Sequence, residues 1–246
     1  MVIIHFFSGM GPKLLDATGQ GVLWGLMVLG VYITYKLLDI ADLTVDSSLC
    51  TGGATSAVLI LMGMHPLLSL VFAVFAGMLA GLVTGFLHTR LRIPAILAGI
   101  LTQLGLYSIN LRIMGKSSVA LLRQPVVISL GNIPMALLIG VLVAAAVVAV
   151  MYWFFGTEIG SALRATGNNE DMIRALGVNV KRMKLLGLML SNGLVGLSGA
   201  LVCQHQKYAD INMGRGAIVI GLAAVIIGEA VFGRIFHNFA LKMVSV

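Results

Sequence analysis

Polar residues embedded in apolar sequence are few in this 246-residue chain, and each needs a chemical or structural reason. Glu229 lies inside the apolar run Ala217–Gly233. A carboxylate in an apolar medium is costly. It either serves a solute pathway, protonated or paired, or sits where its helix reaches a polar interface, as nearby Arg234 suggests. Asp42 and Asp46 precede the Gly-, Ser- and Thr-rich stretch Ser47–Met64. Two roles fit them. They cap a helix, or, with Ser47, Ser48 and Thr51, they border a cavity where unwound backbone presents a helix N-terminus to a solute carboxylate. Gln103, Tyr107, Ser108 and Asn110 interrupt Ile93–Leu111. Gln103 and Tyr107 are four residues apart and Tyr107 and Asn110 three, so each pair shares a helix face. That face lines a pathway or supplies interhelical hydrogen bonds. The five histidines, His5, His65, His88, His205 and His237, lack metal-ligand spacing, so no metal and no catalytic residue is expected. No GxxxxGK[ST] phosphate loop occurs, so no nucleotide or other cofactor is expected on this chain.

The elements that must position these residues follow from composition. The chain is 59% apolar and 10% charged, against about 45–50% and about 25% for soluble domains. Too few charges are present to cover a soluble globule of 25.9 kDa. That excludes an ordinary soluble enzyme, a nucleic-acid binder and a disordered chain. A mean hydropathy of +1.03 and 30 glycines fit an integral membrane protein. The net charge of +7 sits in short gaps between apolar runs, where cytoplasmic loops collect Lys and Arg, so no nucleic-acid partner is implied. Cys50 and Cys203 lie within apolar segments and read as buried thiols. The opening MVIIHFFSG is short and lacks a basic start, so no cleavable signal peptide is expected.

Spanning helices are expected over Gly19–Tyr35, Pro66–Leu87, Ile93–Leu111, Met135–Phe155, Leu185–Cys203 and Ala217–Gly233, with Ser47–Met64 a broken or re-entrant seventh. Runs of this length do not alternate at period two, which excludes barrel strands. The fold class is therefore all-α: a polytopic transmembrane helical bundle, one domain over residues 1–246, embedded in a lipid bilayer. Arg90 and Arg92, and the loop from Thr157 to Lys184, are expected to face the cytoplasm. The N-terminus then lies outside, or inside if the Asp42–Met64 region does not cross fully. Arg112, Lys116 and Arg123 face outward in this scheme, against the charge rule. The ending HNFALKMVSV reads as the start of a further helix, so either the last helix is short or the C-terminal helices are truncated.

Gly77, Gly81 and Gly85 lie four apart on one face, a pattern that admits a second backbone. Gly21 and Gly25 repeat it once, and Gly193, Gly196 and Gly199 more loosely. Packing within one subunit is the simpler use; a subunit interface or a pore face is the other.

The loop TEIGSALRATGNNEDMIRALGVNVKRMK carries eight charged residues between Glu158 and Lys184, and its pattern is helical. Asn168 or Asn169 can cap a helix, with Glu170 and Asp171 in its first turn, Arg174 after them and Gly177 ending it. Met172, Ile173 and Leu176 form its apolar side. Such a helix rests on headgroups or docks into a groove of a soluble partner.

The run Gly160-x-x-x-Arg164-Ala165-x-Gly167-Asn168, followed by Ala175-x-Gly177-Val178, resembles the coupling-loop signature of ABC importer permeases of the branched-chain amino acid and ribose type. Asp42-Leu-Thr-Val-Asp46-Ser47 is similar to their Asp-Leu-Ser-Val-Gly element, with Asp46 replacing the Gly, and Leu91-Arg-Ile-Pro94 follows as it does in them. DLTVDSS, TGFLHTRLRI and LYSINLRIMG most resemble the subfamily found beside tryptophan/tyrosine-type substrate-binding proteins. The likeness runs from about Gly21 to Gly233.

The resemblance implies a multi-pass subunit of a bacterial plasma membrane that imports a small solute, an amino acid by its family, with aromatic ones brought into view by its subfamily. It implies two permease copies, a cytoplasmic ABC ATPase holding ATP and Mg, and an extracellular or lipoprotein substrate-binding protein. The ATPase would meet Gly160, Arg164, Gly167, Asn168, Glu170, Arg174 and Gly177. The pathway candidates remain Asp42, Asp46, Ser47, Thr51, Gln103, Tyr107, Asn110 and Glu229. Two rival classes stay open: an ion-coupled secondary transporter using Asp42, Asp46 or Glu229, and an intramembrane serine protease built on Gly196-Leu197-Ser198-Gly199 with His237 as base.

Overall fold

The computed structural model describes residues 10–122, 124–127 and 133–232. Among them run nine α-helices: α1 (Met10–Tyr32), α2 (Val45–Leu61), α3 (Pro66–Thr89), α4 (Ala95–Met114), α5 (Ile133–Gly156), α6 (Glu158–Asn168), α7 (Glu170–Ala175), α8 (Val180–Gln206) and α9 (Ala217–Phe232). A π-helical turn, Ile33–Leu37, extends α1. Strands β1 (Ser118–Ala120) and β2 (Tyr208–Asp210) pair antiparallel, Val119 opposite Ala209.

Local sequence sets most helix ends. Pro66 occupies the first turn of α3, where its missing N–H costs nothing, and the His65 ring accepts the Leu67 N–H. Gly115, at φ +67°, ends α4 in the left-handed conformation. The Asn179 side chain accepts the Arg182 N–H and starts α8.

Among the described residues, five helical segments are long and apolar enough to cross a membrane: Asp16–Leu37, Pro66–Thr89, Ala95–Met114, Leu137–Gly156 and Val180–Gln206. The shorter α2 and α9, at 17 and 16 residues, span roughly 25 Å, somewhat under the hydrocarbon thickness. Non-helical chain precedes each of them. The expectation of a broken helix over Ser47–Met64 is corrected here. α2 is continuous and most of its residues are buried; the irregular backbone lies before it, where Ile40, Asp42 and Thr44 are buried.

α8 is the axis of the bundle. With no water to expel between helices in lipid, close packing and hydrogen bonds hold them. The glycines provide that closeness. A Cβ on Gly52 (α2) would lie 2.6 Å from the Gly196 Cα (α8), and one on Gly196 would lie 2.7 Å from the Ala73 carbonyl oxygen (α3). Gly77 and Gly81 lie against the backbone of Asn192 and Leu188. The α3 glycine pattern is thus spent within the subunit. Gly21 and Gly25 differ: a Cβ added at either would have nothing within 4 Å. α4 and α5 are peripheral and expose apolar side chains such as Leu104, Leu142 and Val150. Cys50 and Cys203 are both buried and free.

Candidate functional site

Two polar regions stand out, one inside the bundle and one at its end. Inside, Asn192 of α8 is the hub. Its Nδ2 donates to Asp42 Oδ2 at 2.7 Å and to the Leu188 carbonyl at 3.0 Å, and its Oδ1 accepts from Ser48 Oγ at 2.6 Å. Asp42 Oδ1 accepts the Thr44 N–H at 2.9 Å, and the Thr44 and Thr84 hydroxyls pair at 2.7 Å. Next to this, Ser47 Oγ donates to the Gln103 carbonyl and Asn110 Nδ2 to the Ser47 carbonyl. The cluster therefore joins α2, α3, α4, α8 and the irregular segment before α2. Buried polar groups in hydrocarbon must find such partners, which is why the cluster specifies one arrangement of helices.

Asp46 does something else. Its carboxylate accepts the N–H groups of Gly216 at 3.1 Å and Ile218 at 2.9 Å, at the start of α9. Both roles expected from sequence concerned its own helix; instead it caps one 170 residues away, where free N–H groups and the helix dipole favour a carboxylate.

The pathway candidates do not form one surface. Asp42, Ser47 and Asn110 are buried in the cluster, and Gln103 contributes its backbone. Thr51 is buried, and its hydroxyl donates to the Ser47 carbonyl of its own helix. Tyr107 points outward, 43% exposed, whereas Asn110 is buried, so the two do not line a common surface. Asn110 takes the inner side of α4, one helical turn on. Glu229 is remote from the cluster: it lies near the end of α9, 2.6 Å from Lys36 Nζ, with both side chains half exposed. Its partner is thus a cation of the same chain.

At that same end of the bundle stand α6 and α7. The sequence suggests one helix here; the structure has two, because Asn169 adopts an extended conformation that stops α6 and caps α7, accepting the Met172 N–H at 3.0 Å. Thr157 caps α6 by accepting the Gly160 N–H. Gly160 packs on the Phe154–Phe155 backbone. Gly167 meets the π-helical turn, where a Cβ would lie 2.7 Å from the Leu37 carbonyl carbon. Arg164 and Asn168 line the cleft between α6 and that turn, together with Tyr35, Lys36 and Asp39. Glu170 pairs with Lys184 and, at 3.9 Å, with Arg174; Arg174 also reaches Asp171 at 3.5 Å. Gly177 takes φ +82° just past α7. The apolar side expected for α7 is split: Ile173 is buried, whereas Met172 and Leu176 are 50% and 70% exposed.

Ser198 is fully buried and donates to the Leu23 carbonyl at 2.7 Å, so its hydroxyl serves α1–α8 packing. His237, its imagined base, lies outside the described residues. Sequence reasoning passed over Asn192, Thr84 and Lys36. Asn192 had a signal, as an amide in an otherwise apolar spanning helix; Lys36 lies one residue past the expected span Gly19–Tyr35.

Comparison with known proteins supplies the identity. The family model described as branched-chain amino acid transport system / permease component matches residues 14–246. A tyrosine transport system permease protein of Clostridioides difficile (strain R20291) is 40% identical over 87% of this chain and 72% of its own length. An uncharacterized protein of Rickettsia prowazekii (strain Madrid E) is 36% identical over 93% of this chain and 81% of its own. An autoinducer 2 import system permease protein of Enterobacter sp. (strain 638) is 30% identical over 82% of this chain and 59% of its own. No solved structure matches. With a polytopic helical bundle and a family match over nearly the whole chain, this protein belongs to the branched-chain amino acid transport system permease family, as a multi-pass permease component of the bacterial plasma membrane.

Proposed function

We propose that the chain is the membrane-spanning subunit of an ATP-binding cassette importer, bringing a small amino acid-like solute into a bacterial cell. The observation that carries this reading is the α6–α7 unit. It is fastened on its inner side through Gly160, Gly167 and Ile173, and it presents Met172, Arg174 and Leu176 outward. An exposed apolar pair flanking a cation on a short capped helix suits a groove of a soluble partner. The partner is a cytoplasmic ATPase that holds ATP and Mg; this chain does no nucleotide chemistry. The 90–94 loop, with Arg90 and Arg92, is at the same end of the bundle, since Gly85 near the end of α3 packs on Leu185 near the start of α8. Its basic residues favour the cytoplasmic side for both. The pathway forms between two copies of the chain, and an extracellular binding protein delivers the solute at the end carrying β1 and β2. The likeness to a tyrosine transport permease makes an aromatic amino acid the first solute to assay.

The test is uptake and ATP hydrolysis by the importer reconstituted in liposomes. Arg174→Glu breaks the pairs with Glu170 and Asp171, and Ile173→Pro removes the N–H that donates to the Asn169 carbonyl. Both variants should uncouple hydrolysis from uptake. Normal transport with a normally bound ATPase would refute the docking assignment.

A further inference from the structure

Residues 36–46 touch four separate helices within eleven residues of chain. Lys36 pairs with Glu229 near the end of α9, and Asp46 caps the start of the same helix. Between them, the Leu37 carbonyl lies directly against Gly167 of α6, Asp42 holds Asn192 of α8, and Thr44 holds Thr84 of α3. We propose that residues 36–46 are a strap that makes α9 follow α6, with Lys36 and Asp46 as the positioning residues that hold its two ends.

Three features support transmission through this segment. The α6 contact is backbone on backbone, because Gly167 has no side chain, so displacement of α6 reaches Leu37 without a flexible side chain to absorb it. The adjoining turn is π-helical, closed by the Leu38 N–H to the Ile33 carbonyl at 3.1 Å and the Ile40 N–H to the Thr34 carbonyl at 2.9 Å. Such turns are wider than α-helix and recur at functional positions. Third, α9 is otherwise held mainly along one side. Gly221 packs on Val31 and Met27 of α1, while Val219, Ile227 and Val231 are more than half exposed.

The mechanical link concerns this chain alone; its use in transport rests on the docking reading above. The test therefore begins with the purified full chain in nanodiscs, spin-labelled at Ile227→Cys on α9 and Leu79→Cys on α3, both exposed. Cys50 and Cys203 are buried and do not compete for label. Gly167→Ala pushes on Leu37 and should shift the label-to-label distance. Adding Lys36→Met should abolish the shift, and the exchange Lys36→Glu with Glu229→Lys should restore it. The proposal is overturned if Gly167→Ala produces no shift, if the shift survives Lys36→Met, or if the exchange does not restore it. In the reconstituted importer, Lys36→Met should lower solute taken up per ATP hydrolysed, with recovery in the exchange; unchanged coupling in Lys36→Met overturns the strap's role in transport. A native chain that binds no ATPase would sink the docking reading instead, and the label distances would still decide the strap.

Discussion

Gly52→Ala and Gly25→Ala make the same chemical change in two helical glycines, and the structure assigns them opposite outcomes. A Cβ on Gly52 would lie 2.6 Å from the Gly196 Cα and closer still to the Gly196 carbonyl oxygen, where ordinary contact begins near 3.4 Å, so α2 and α8 must part by more than about 0.8 Å. The strain has no outlet, because Gly196 is itself backed by Ala73 and Gly77 of α3. Overpacking of this kind costs up to about 3 kcal/mol. The gain in helix propensity from Gly to Ala returns about 0.5–1 kcal/mol, leaving a net loss of about 2 kcal/mol. Gly25 has nothing within 4 Å of its added methyl and should keep only the gain of about 0.5–1 kcal/mol. The assay is thermal unfolding of the purified chain in detergent, followed by a thiol-reactive dye that reports exposure of Cys50 and Cys203. Gly52→Ala should unfold at a clearly lower temperature than the parent, and Gly25→Ala at the same temperature or higher. Equal destabilisation by both, or parental behaviour of Gly52→Ala, would refute the packing described for α2, α3 and α8.

Asn192→Leu leaves Asp42 Oδ2 and Ser48 Oγ without their partner and should cost about 2–5 kcal/mol in the same assay. Asp42→Asn, which keeps an acceptor oxygen, should cost less; the reverse order would show that Asn192 is not the hub. Asp46→Ala removes the cap of α9 and should lower stability by about 1 kcal/mol while speeding amide exchange at Gly216 and Ile218. Unchanged exchange at those two amides would disprove the cap. Ser198→Ala loses one hydrogen bond to the Leu23 carbonyl and should leave uptake intact; a complete loss of turnover in a correctly folded variant would revive the protease alternative.

The sequence carried the local features of the site well. Asn169 caps α7 and Gly177 ends it through contacts within four residues of themselves, so residue type points to both roles. The split of the 157–184 loop into α6 and α7 escaped it, since Asn169 can continue a helix or stop it and only its surroundings select the extended form. Polar residues within the bundle were visible as polar, but not as partners. Tyr107 and Asn110 share a face on a helical wheel, yet one faces out and the other in. Glu229 and Lys36 are distant in sequence and adjacent in space.

What the sequence determined by itself is the class of object: apolar helices of spanning length, joined by basic loops. A helix in hydrocarbon satisfies its own backbone, so length and composition suffice to reveal it. Tertiary structure alone decided which faces meet. Lipid and protein interior are equally apolar, so no hydrophobic stripe marks the buried side, as Gly25 and Gly52 show. Close backbone approach and a few polar partners supplied by distant segments select the arrangement, and those partners, such as Asp46 for α9 and Asn192 for Asp42, exist only once the helices have assembled.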